Sequence, residues 1–189
     1  MLKKIVLLIS VCCLMFFVAI SIDSILFYDT TPLTKVLKKQ DRNKNIKLLI
    51  SKKKQRLEVI CEGKVLKSYP AVFGFNTKQD KLMEGDGCTP EGTFRILAKY
   101  PHKKWSKFMW LDYPNKESLA KIKKAKAEKR VSADAKPGGQ IGIHGVPKGL
   151  DIFVTMGCNW TKGCISLKTR DVNDLYDGIP NDIQVVITP

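Results

Sequence analysis

Short apolar runs separated by turns follow one another along most of the chain. Two of them cover residues 46–51 and 57–62, and the lysine-rich residues 52–55 between them are typical of a hairpin connection. Gly63 marks a second tight turn, after which residues 65–75 alternate between apolar and polar side chains. This spacing predicts a β-meander of two consecutive hairpins.

The rest of the pattern predicts further strands and two helices. Strands are expected at residues 93–100, 108–113, 140–144, 165–167 and 183–187. Asn115 is placed to cap a helix over residues 116–130, whose thin apolar stripe and many lysines indicate a surface position. A shorter helix is expected from Thr169 or Arg170 through Tyr176. The predicted fold class is therefore mostly β, with one or two short helices.

The N-terminus has a different pattern. Lys3 and Lys4 precede an uncharged apolar run over residues 5–22, which is typical of a secretory signal. Two outcomes are compatible with this run: cleavage after Ser21, or retention as a membrane anchor, since 18 residues barely suffice to span a bilayer. Either way, residues 1–22 are predicted to be a signal peptide or anchor, and the protein is expected in the periplasm or cell envelope.

The most unusual feature of the composition is the net charge. Lysine and arginine total 33 against 18 aspartates and glutamates, which gives a formal net charge of +15. Residues 23–45 are polar and basic and are predicted to be a linker, with a short helix at 33–39, before a domain over residues 46–189. For the lysine-rich residues 35–56 a solvated face is favoured, and attraction to anionic lipid or polymer is the alternative. No nucleic-acid partner is expected, because the chain is predicted to be exported and no aromatic-basic motif occurs.

One histidine and one cysteine flank a long loop that contains proline and several glycines. His144 ends a predicted strand and is followed by Gly145, whereas Cys164 follows Gly163 just before the next strand. A thiolate is a strong nucleophile, and a nearby imidazole is the usual base that lowers the pKa of the thiol. Gly163 suits a strained turn that exposes the thiol and directs backbone N–H groups to one point, as in an oxyanion hole. The pattern favours Cys164 as nucleophile and His144 as base over a core histidine and a glycine that only serves a turn.

The other cysteines and the second histidine are less informative. Cys88 and Cys158 are compatible with free thiols or with a disulfide. His102 lies in a charged segment and is interpreted as a surface residue. A zinc site that uses Cys158 with Cys164 and His144 is disfavoured, because the Cys-x5-Cys spacing is not a standard one for zinc ligands. No metal or cofactor is therefore expected.

Together with a glycine-rich segment upstream, these residues resemble the L,D-transpeptidase catalytic domain of the YkuD type, and more narrowly its YafK-like branch of murein L,D-transpeptidases. The matching residues, in order within residues 45–189, are Gly85-Asp86-Gly87, Thr89-Pro90-Glu91-Gly92-Thr93-Phe94, Ile143-His144-Gly145, Trp160-Thr161, Gly163-Cys164-Ile165, Leu167, Asp171 and Leu175-Tyr176. Each motif alone is weak, but three in this order behind an export signal are specific. The resemblance implies a β-sandwich or barrel of mixed sheets.

The resemblance also implies a chemistry. Cys164 would attack a peptidoglycan stem peptide at the carbonyl of the L-centre of diaminopimelate, release the terminal D-alanine, and pass the acyl group to an amine. The amine would belong to a second stem or to an envelope protein. With water in its place the protein would be a hydrolase, either an L,D-carboxypeptidase or an amidase that releases envelope protein. His144 would act as base and then as acid, oriented by the carbonyl at Gly145. A non-catalytic envelope-binding module is the remaining alternative.

Two positions depart from the pattern of the wider family, which usually has Ser-His before Gly-Cys and an arginine two residues after the cysteine. Thr161-Lys162 and Ser166 occupy these positions here. With Trp160, which is expected to cover the site, they form the predicted substrate-binding set. We hypothesise that Lys162 replaces the missing arginine as the partner of a substrate carboxylate.

Overall fold

The computed structural model describes residues 30–37, 45–77 and 79–189. Its strands are β1 Ile46–Ser51, β2 Arg56–Cys61, β3 Lys64–Pro70, β4 Gly92–His102, β5 Ser106–Leu111, β6 Gly142–Gly145, β7 Ile165–Leu167 and β8 Gln184–Thr188. Its helices are α1 Leu33–Val36, α2 Lys116–Ala127, α3 Ile152–Thr155 and α4 Thr169–Gly178. The predicted mostly-β class is confirmed, but the described residues contain four short helices where one or two were expected. The predicted signal or anchor at 1–22 lies outside the described residues. None of the helices within them has the length and apolarity needed to cross a membrane.

The eight strands form one mixed sheet in the order β3-β2-β1-β8-β4-β5-β6-β7. β1 pairs with β8 and β6 with β7 in parallel, whereas the other neighbours are antiparallel. The chain that leaves β3 reaches the opposite edge, where Val72 and Ser166 exchange backbone hydrogen bonds of 3.0 and 2.8 Å. This contact joins the two edges of the sheet, as in a barrel, and holds β7, the strand that begins directly after Cys164.

The alternation of apolar residues decides which side of the sheet faces the core. In β1 the apolar residues Ile46, Leu48 and Ile50 are buried, and the residues between them are only partly so. In β8 Val185 and Ile187 are buried in the same alternating way. Full burial of a side chain of this size stabilises a fold by about 1.5–3 kcal/mol. A shift of register by one residue would lose this burial along a whole strand.

Part of the predicted linker over residues 23–45 is packed on the domain. Leu33 begins α1 and Leu37 follows its last residue, and both are buried in the hydrophobic core. The backbone N–H of Leu33 donates a 2.8 Å hydrogen bond to the carboxylate of Asp174 in α4. The compact unit accordingly runs from Pro32 to Pro189. Two leucines among lysines are thus enough to dock one helical turn of this segment on the domain.

The predicted helix at 116–130 is present as α2. Asn115 caps it, since its side-chain oxygen accepts a 3.0 Å hydrogen bond from the backbone N–H of Ser118. Ile122 and Ala125 are buried, while most of the lysines remain exposed. The thin apolar stripe thus produces a helix that covers the domain surface, as the sequence predicts.

The loop expected before Cys164 contains one short helix, α3, that the sequence does not predict. Its four residues are β-branched or aromatic, and such residues have low helix propensity. Tertiary packing stabilises it instead. Val154 is buried with Val72 and Val146 in a small apolar cluster, against which Trp160 packs. The loop is therefore anchored by its own apolar contacts.

Candidate active site

The parallel strands β6 and β7 bring the predicted histidine and cysteine to the same side of the sheet. His144 lies opposite Ser166 in their register, so these two side chains point the same way. Cys164 precedes Ser166 by two residues and therefore shares that side. His144 and Cys164 both line one cleft of about 650 Å³. Nineteen residues of intervening chain thus separate two groups that the fold makes neighbours.

The walls of this cleft are aromatic and glycine-rich, and few charged groups reach them. Its aromatic residues are Phe75, Trp105 and Trp160, and its charged residues are Lys81, Glu84 and Lys162. A volume of this size is within the usual range for sites that bind small molecules or peptide segments. The cleft can therefore hold a substrate several residues long against the thiol.

The imidazole of His144 is held in one tautomer. Its Nδ1 lies 2.7 Å from the carbonyl oxygen of Gly145. Because a carbonyl oxygen only accepts hydrogen bonds, Nδ1 carries the proton and Nε2 keeps its lone pair. Burial lowers the pKa of His144 to about 4, the hydrogen bond to Gly145 acts in the opposite direction, and His102 adds to the lowering. The ring is therefore a neutral base at physiological pH.

Aromatic stacking shields this imidazole from water. The ring of Trp105 stacks on His144 with centroids 4.3 Å apart and also stacks on His102 at 4.4 Å. Nδ1 of His102 accepts hydrogen bonds of 3.2 Å from the backbone N–H groups of Lys104 and Trp105. His102 was interpreted as a surface residue from its charged neighbours, but it is half-buried and supports the site through Trp105. A tryptophan in a lysine-rich turn is the sequence signal that indicates this contact.

A tight turn presents Cys164. The hydroxyl of Thr161 donates a 2.7 Å hydrogen bond to the carbonyl of Cys164 and accepts one of 3.1 Å from the N–H of Gly163. Gly163 has a φ of +139°, a conformation that side chains rarely tolerate. A Cβ on Gly163 would lie 2.7 Å from the carbonyl oxygen of Cys88. Glycine is thus required here by backbone conformation and by space.

The thiol of Cys164 is held in its neutral form in the free protein. Burial raises its pKa, and the nearby Gly142 N–H and Lys81 ammonium only partly oppose that effect. The Sγ atom donates a hydrogen bond of 3.4 Å to the carbonyl oxygen of Gln140. The sequence predicts that an imidazole lowers the pKa of this thiol, whereas in the structure burial raises it. A neutral thiol and a neutral imidazole imply that the proton moves when the nucleophile attacks.

The predicted substrate-binding residues fall into two groups. Trp160, Thr161 and Lys162 line the cleft, and Lys162 is exposed with no ion pair among the described residues. Ser166 is fully buried and has no exposed surface with which to touch a substrate. Ser166 lies opposite His144 in β7, and its contact with a substrate stays a prediction.

A buried ion pair organises one wall of the cleft and is not predicted by the sequence. The ammonium of Lys81 lies 2.8 Å from Asp86 and 3.0 Å from the carbonyl oxygen of Met83. Asp86 also accepts hydrogen bonds from the N–H groups of Leu82, Met83 and Cys88. Burial acts to raise the pKa of Asp86, but these hydrogen bonds outweigh it and the pKa is lowered. A lone lysine five residues before a Gly-Asp-Gly motif offers no periodic signal from which this pair could be found.

The sequence is compatible with either a disulfide between Cys88 and Cys158 or two free thiols, and in the structure both thiols are free. Cys88 is fully buried under the Gly163 turn, whereas Cys158 is exposed in the loop before the site. A disulfide would need their Cα atoms within about 7 Å of each other. Cys158 is therefore an accessible thiol that labelling experiments on Cys164 must control for.

This fold, with its paired histidine and cysteine at neighbouring strands, defines a class of protein. Residues 45–187 match the L,D-transpeptidase catalytic domain (YkuD), and the chain belongs to this family. No curated protein matches the chain significantly. The more specific YafK-like branch stays a prediction.

Solved structures with the same fold include several L,D-transpeptidases and one cell shape determining protein. Bd1075 from Bdellovibrio bacteriovorus is 17% identical, with a TM-score of 0.55 over 77% of this chain and 48% of that one. The helical cell shape determining protein Pgp2 from Campylobacter jejuni is 19% identical, with a TM-score of 0.55 over 82% and 53%. An L,D-transpeptidase from Mycobacterium smegmatis is 17% identical, with a TM-score of 0.50 over 77% and 59%. This chain spans about half the length of those structures, and at these identities the likeness is one of fold.

Proposed function

We propose that this protein is a cysteine-dependent L,D-transpeptidase that acts on peptidoglycan stem peptides in the cell envelope. One observation carries the proposal: Cys164 and His144 line the same cleft, and the Gly145 carbonyl keeps His144 in the tautomer whose Nε2 is basic. A nucleophile, its base and the group that orients the base are the minimal set for acyl transfer through a covalent intermediate.

In the first half-reaction, Nε2 of His144 takes the proton from the thiol while Sγ of Cys164 attacks the carbonyl carbon of diaminopimelate. The oxyanion that forms would accept hydrogen bonds from backbone N–H groups of this turn other than that of Gly163, which is donated to Thr161 Oγ1. His144 then gives its proton to the nitrogen of the terminal D-alanine, and the C–N bond breaks. D-alanine leaves as a free amine, and the acyl group remains on Cys164 as a thioester.

In the second half-reaction, an amine attacks the thioester while Nε2 of His144 accepts its proton. The C–S bond breaks, and His144 returns the proton to Cys164. An amine from a second stem gives a cross-link, and an amine from an envelope protein gives protein attachment. Water in the same position gives a hydrolase, which uses the same residues. The aromatic walls formed by Trp105 and Trp160 limit the access of water to the thioester and favour an amine acceptor.

The remaining predicted site residues have supporting roles. Trp160 packs its edge toward His144, with ring centroids 5.8 Å apart, and covers the base. Thr161 holds the turn that presents Cys164 through the hydrogen bonds described above. Lys162 offers the exposed charge that a carboxylate of the stem peptide requires.

Reaction with a carbapenem tests whether the protein is an enzyme at all. We expect the intact mass to increase by one molecule of the β-lactam, because its strained carbonyl is an acyl donor for Cys164. Cys164→Ala should abolish the adduct, and the matched control Cys158→Ala should keep it. An adduct that persists in Cys164→Ala, or that is absent from the unmodified protein, would favour a non-catalytic envelope-binding module.

Incubation with purified muropeptides separates the acceptors. We expect tetrapeptide stems to yield free D-alanine together with a cross-linked dimer or an amine-exchanged product, identified by mass. A product that is only the tripeptide, even with an amine in excess, would make the protein an L,D-carboxypeptidase. Release of D-alanine by Cys164→Ala would contradict the proposed nucleophile.

A further inference from the structure

A second surface, independent of the catalytic proposal, exposes apolar side chains beside lysines. Leu97, Trp110 and Leu119 are 65%, 37% and 48% exposed. They line one shallow groove together with Pro114 and Lys116. We call these five residues the outer patch. Large apolar side chains that are exposed together commonly mark an interaction site, whereas isolated ones do not.

Leu97 lies at a β-bulge and keeps the outward position that strand alternation gives it, since Phe94 and Ile96 are buried. The register between β4 and β5 shifts between Ile96 and Ala98, so that Ile96 pairs with Leu111 and Ala98 pairs with Trp110. Leu97 is the extra residue at this shift. Ala98, which follows the bulge, is exposed as well, so two consecutive residues face outward beside the exposed Trp110. The sheet geometry thereby builds the apolar half of the patch.

Helix α2 supplies the basic half. Lys116, Leu119, Lys123 and Lys126 follow one another at spacings of three, four and three residues, so they form one stripe along the helix. Lys116 and Lys123 are exposed, and the stripe contains no acidic residue. The glutamates of this helix segment lie on another side, where Glu128 pairs with Arg130 and Lys124. The stripe therefore presents net positive charge beside Leu119, with Asp134 close enough to interact with Lys126 at its far end.

One carboxylate borders the groove and is already engaged. Asp112 lines the groove, and its Oδ1 accepts a 2.8 Å hydrogen bond from the backbone N–H of Arg95. Asp112 keeps its negative charge, but the three lysines of the stripe outnumber this one carboxylate, so the surface is net positive. A suitable partner must offer negative charge to the lysines of the stripe and an apolar region to the exposed apolar side chains of the outer patch.

We propose that the outer patch docks on an anionic lipid bilayer, with Trp110, Leu97 and Leu119 at the depth of the lipid headgroups. Tryptophan is enriched at membrane–water interfaces, and lysines beside apolar side chains are typical of surfaces that bind anionic lipid. A second copy of this chain fits less well, because its net charge of +15 would place like charges against the stripe.

Fluorescence quenching by brominated lipid tests the proposal in the full chain. The protein is reconstituted into vesicles of phosphatidylcholine, or of phosphatidylcholine mixed with phosphatidylglycerol, with brominated acyl chains. We expect quenching of tryptophan fluorescence in the phosphatidylglycerol vesicles and its loss in Trp110→Phe, since Trp105 and Trp160 lie in the catalytic cleft. Each lysine near an anionic surface contributes about a fivefold factor in partitioning. The triple variant K116Q/K123Q/K126Q should therefore lower the partition constant onto these vesicles, as read from the quenching, on the order of 100-fold.

A matched triple variant, K53Q/K64Q/K148Q, removes the same charge from exposed sites elsewhere and should leave the quenching of Trp110 unchanged. Three results would overturn the proposal. One is the absence of Trp110 quenching in phosphatidylglycerol vesicles. The second is equal quenching in phosphatidylcholine alone. The third is self-association, measured by light scattering without vesicles, that Trp110→Phe abolishes, because the occupant would then be a second copy.

Discussion

The protonation state of His144 gives the sharpest test of the site, because burial and one carbonyl contact set it. Trp105 covers one face of the imidazole, with ring centroids 4.3 Å apart. Replacing Trp105 with leucine removes the stacked ring and admits water. We expect the pKa of His144 to rise from about 4 toward its ordinary value of 6.5, since desolvation is the main cause of the lowering.

The magnitude follows from these two values. A pKa of about 4 in the folded protein against 6.5 when unfolded corresponds to about 3.4 kcal/mol at 1.36 kcal/mol per pH unit. As the pH falls, the imidazole of His144 is protonated in the unfolded state before it is protonated in the folded state. The free energy of unfolding therefore decreases progressively from about pH 6.5 to about pH 4. Between pH 7 and pH 5 its contribution amounts to about 2 kcal/mol lost from the free energy of unfolding. Above pH 6.5 this contribution vanishes, because the imidazole is neutral in both states.

The measurement benefits from the composition of the chain, which has two histidines. Imidazole signals in NMR spectra recorded from pH 3.5 to 8 give both titrations, and His144→Gln identifies the signals of His144 by their absence. The nitrogen shifts should also show a proton on Nδ1 in the neutral form. A His144 that titrates near 6.5 in the unmodified protein would refute the reasoning, as would Trp105→Leu with an unchanged titration. Urea unfolding at pH 5 and 7, compared with His144→Gln, checks the change in stability.

Three further changes test the turn, the charge and the docked helix. Gly163→Ala should slow acylation of Cys164 by more than tenfold without unfolding the protein, because its Cβ meets the Cys88 carbonyl at 2.7 Å; a normal acylation rate would refute this. Lys162→Ala should raise KM for stems that carry a free carboxylate and spare amidated stems; unchanged kinetics would sink its proposed role. Leu33→Ala should lower the free energy of unfolding by about 2–5 kcal/mol in urea titrations, and no loss would show that the helix is not docked.

Strand positions could be predicted well from the sequence, because period-two alternation and turn residues act locally. The hairpin around residues 52–55, the turn at Gly63 and the cap at Asn115 all depend on neighbours within a few positions. The helix α3 could not be predicted, because its poor helix formers are held by Val72, which is distant in sequence. The same reason explains α1, whose leucines pack against a core completed by residues far along the chain.

The candidate site divides in the same way. The sequence alone pointed to Cys164 and His144 with their glycines, because a Gly-Cys pair before a strand and a His-Gly pair after one are local patterns that resemble a known family. The charge state of the pair was not accessible from the sequence, which suggested an activated thiol. Burial and backbone contacts instead hold both groups neutral.

What the sequence determined, then, is the alternation that makes the strands, the residue types able to perform acyl transfer, and the family to which the chain belongs. Only the tertiary structure decided which side chains share a cleft. Trp105 and Lys81 line it, whereas Ser166, on the same side of the sheet as His144, is fully buried. The physical reason is that desolvation and side-chain direction depend on strand register and packing between distant segments, and no local pattern encodes either.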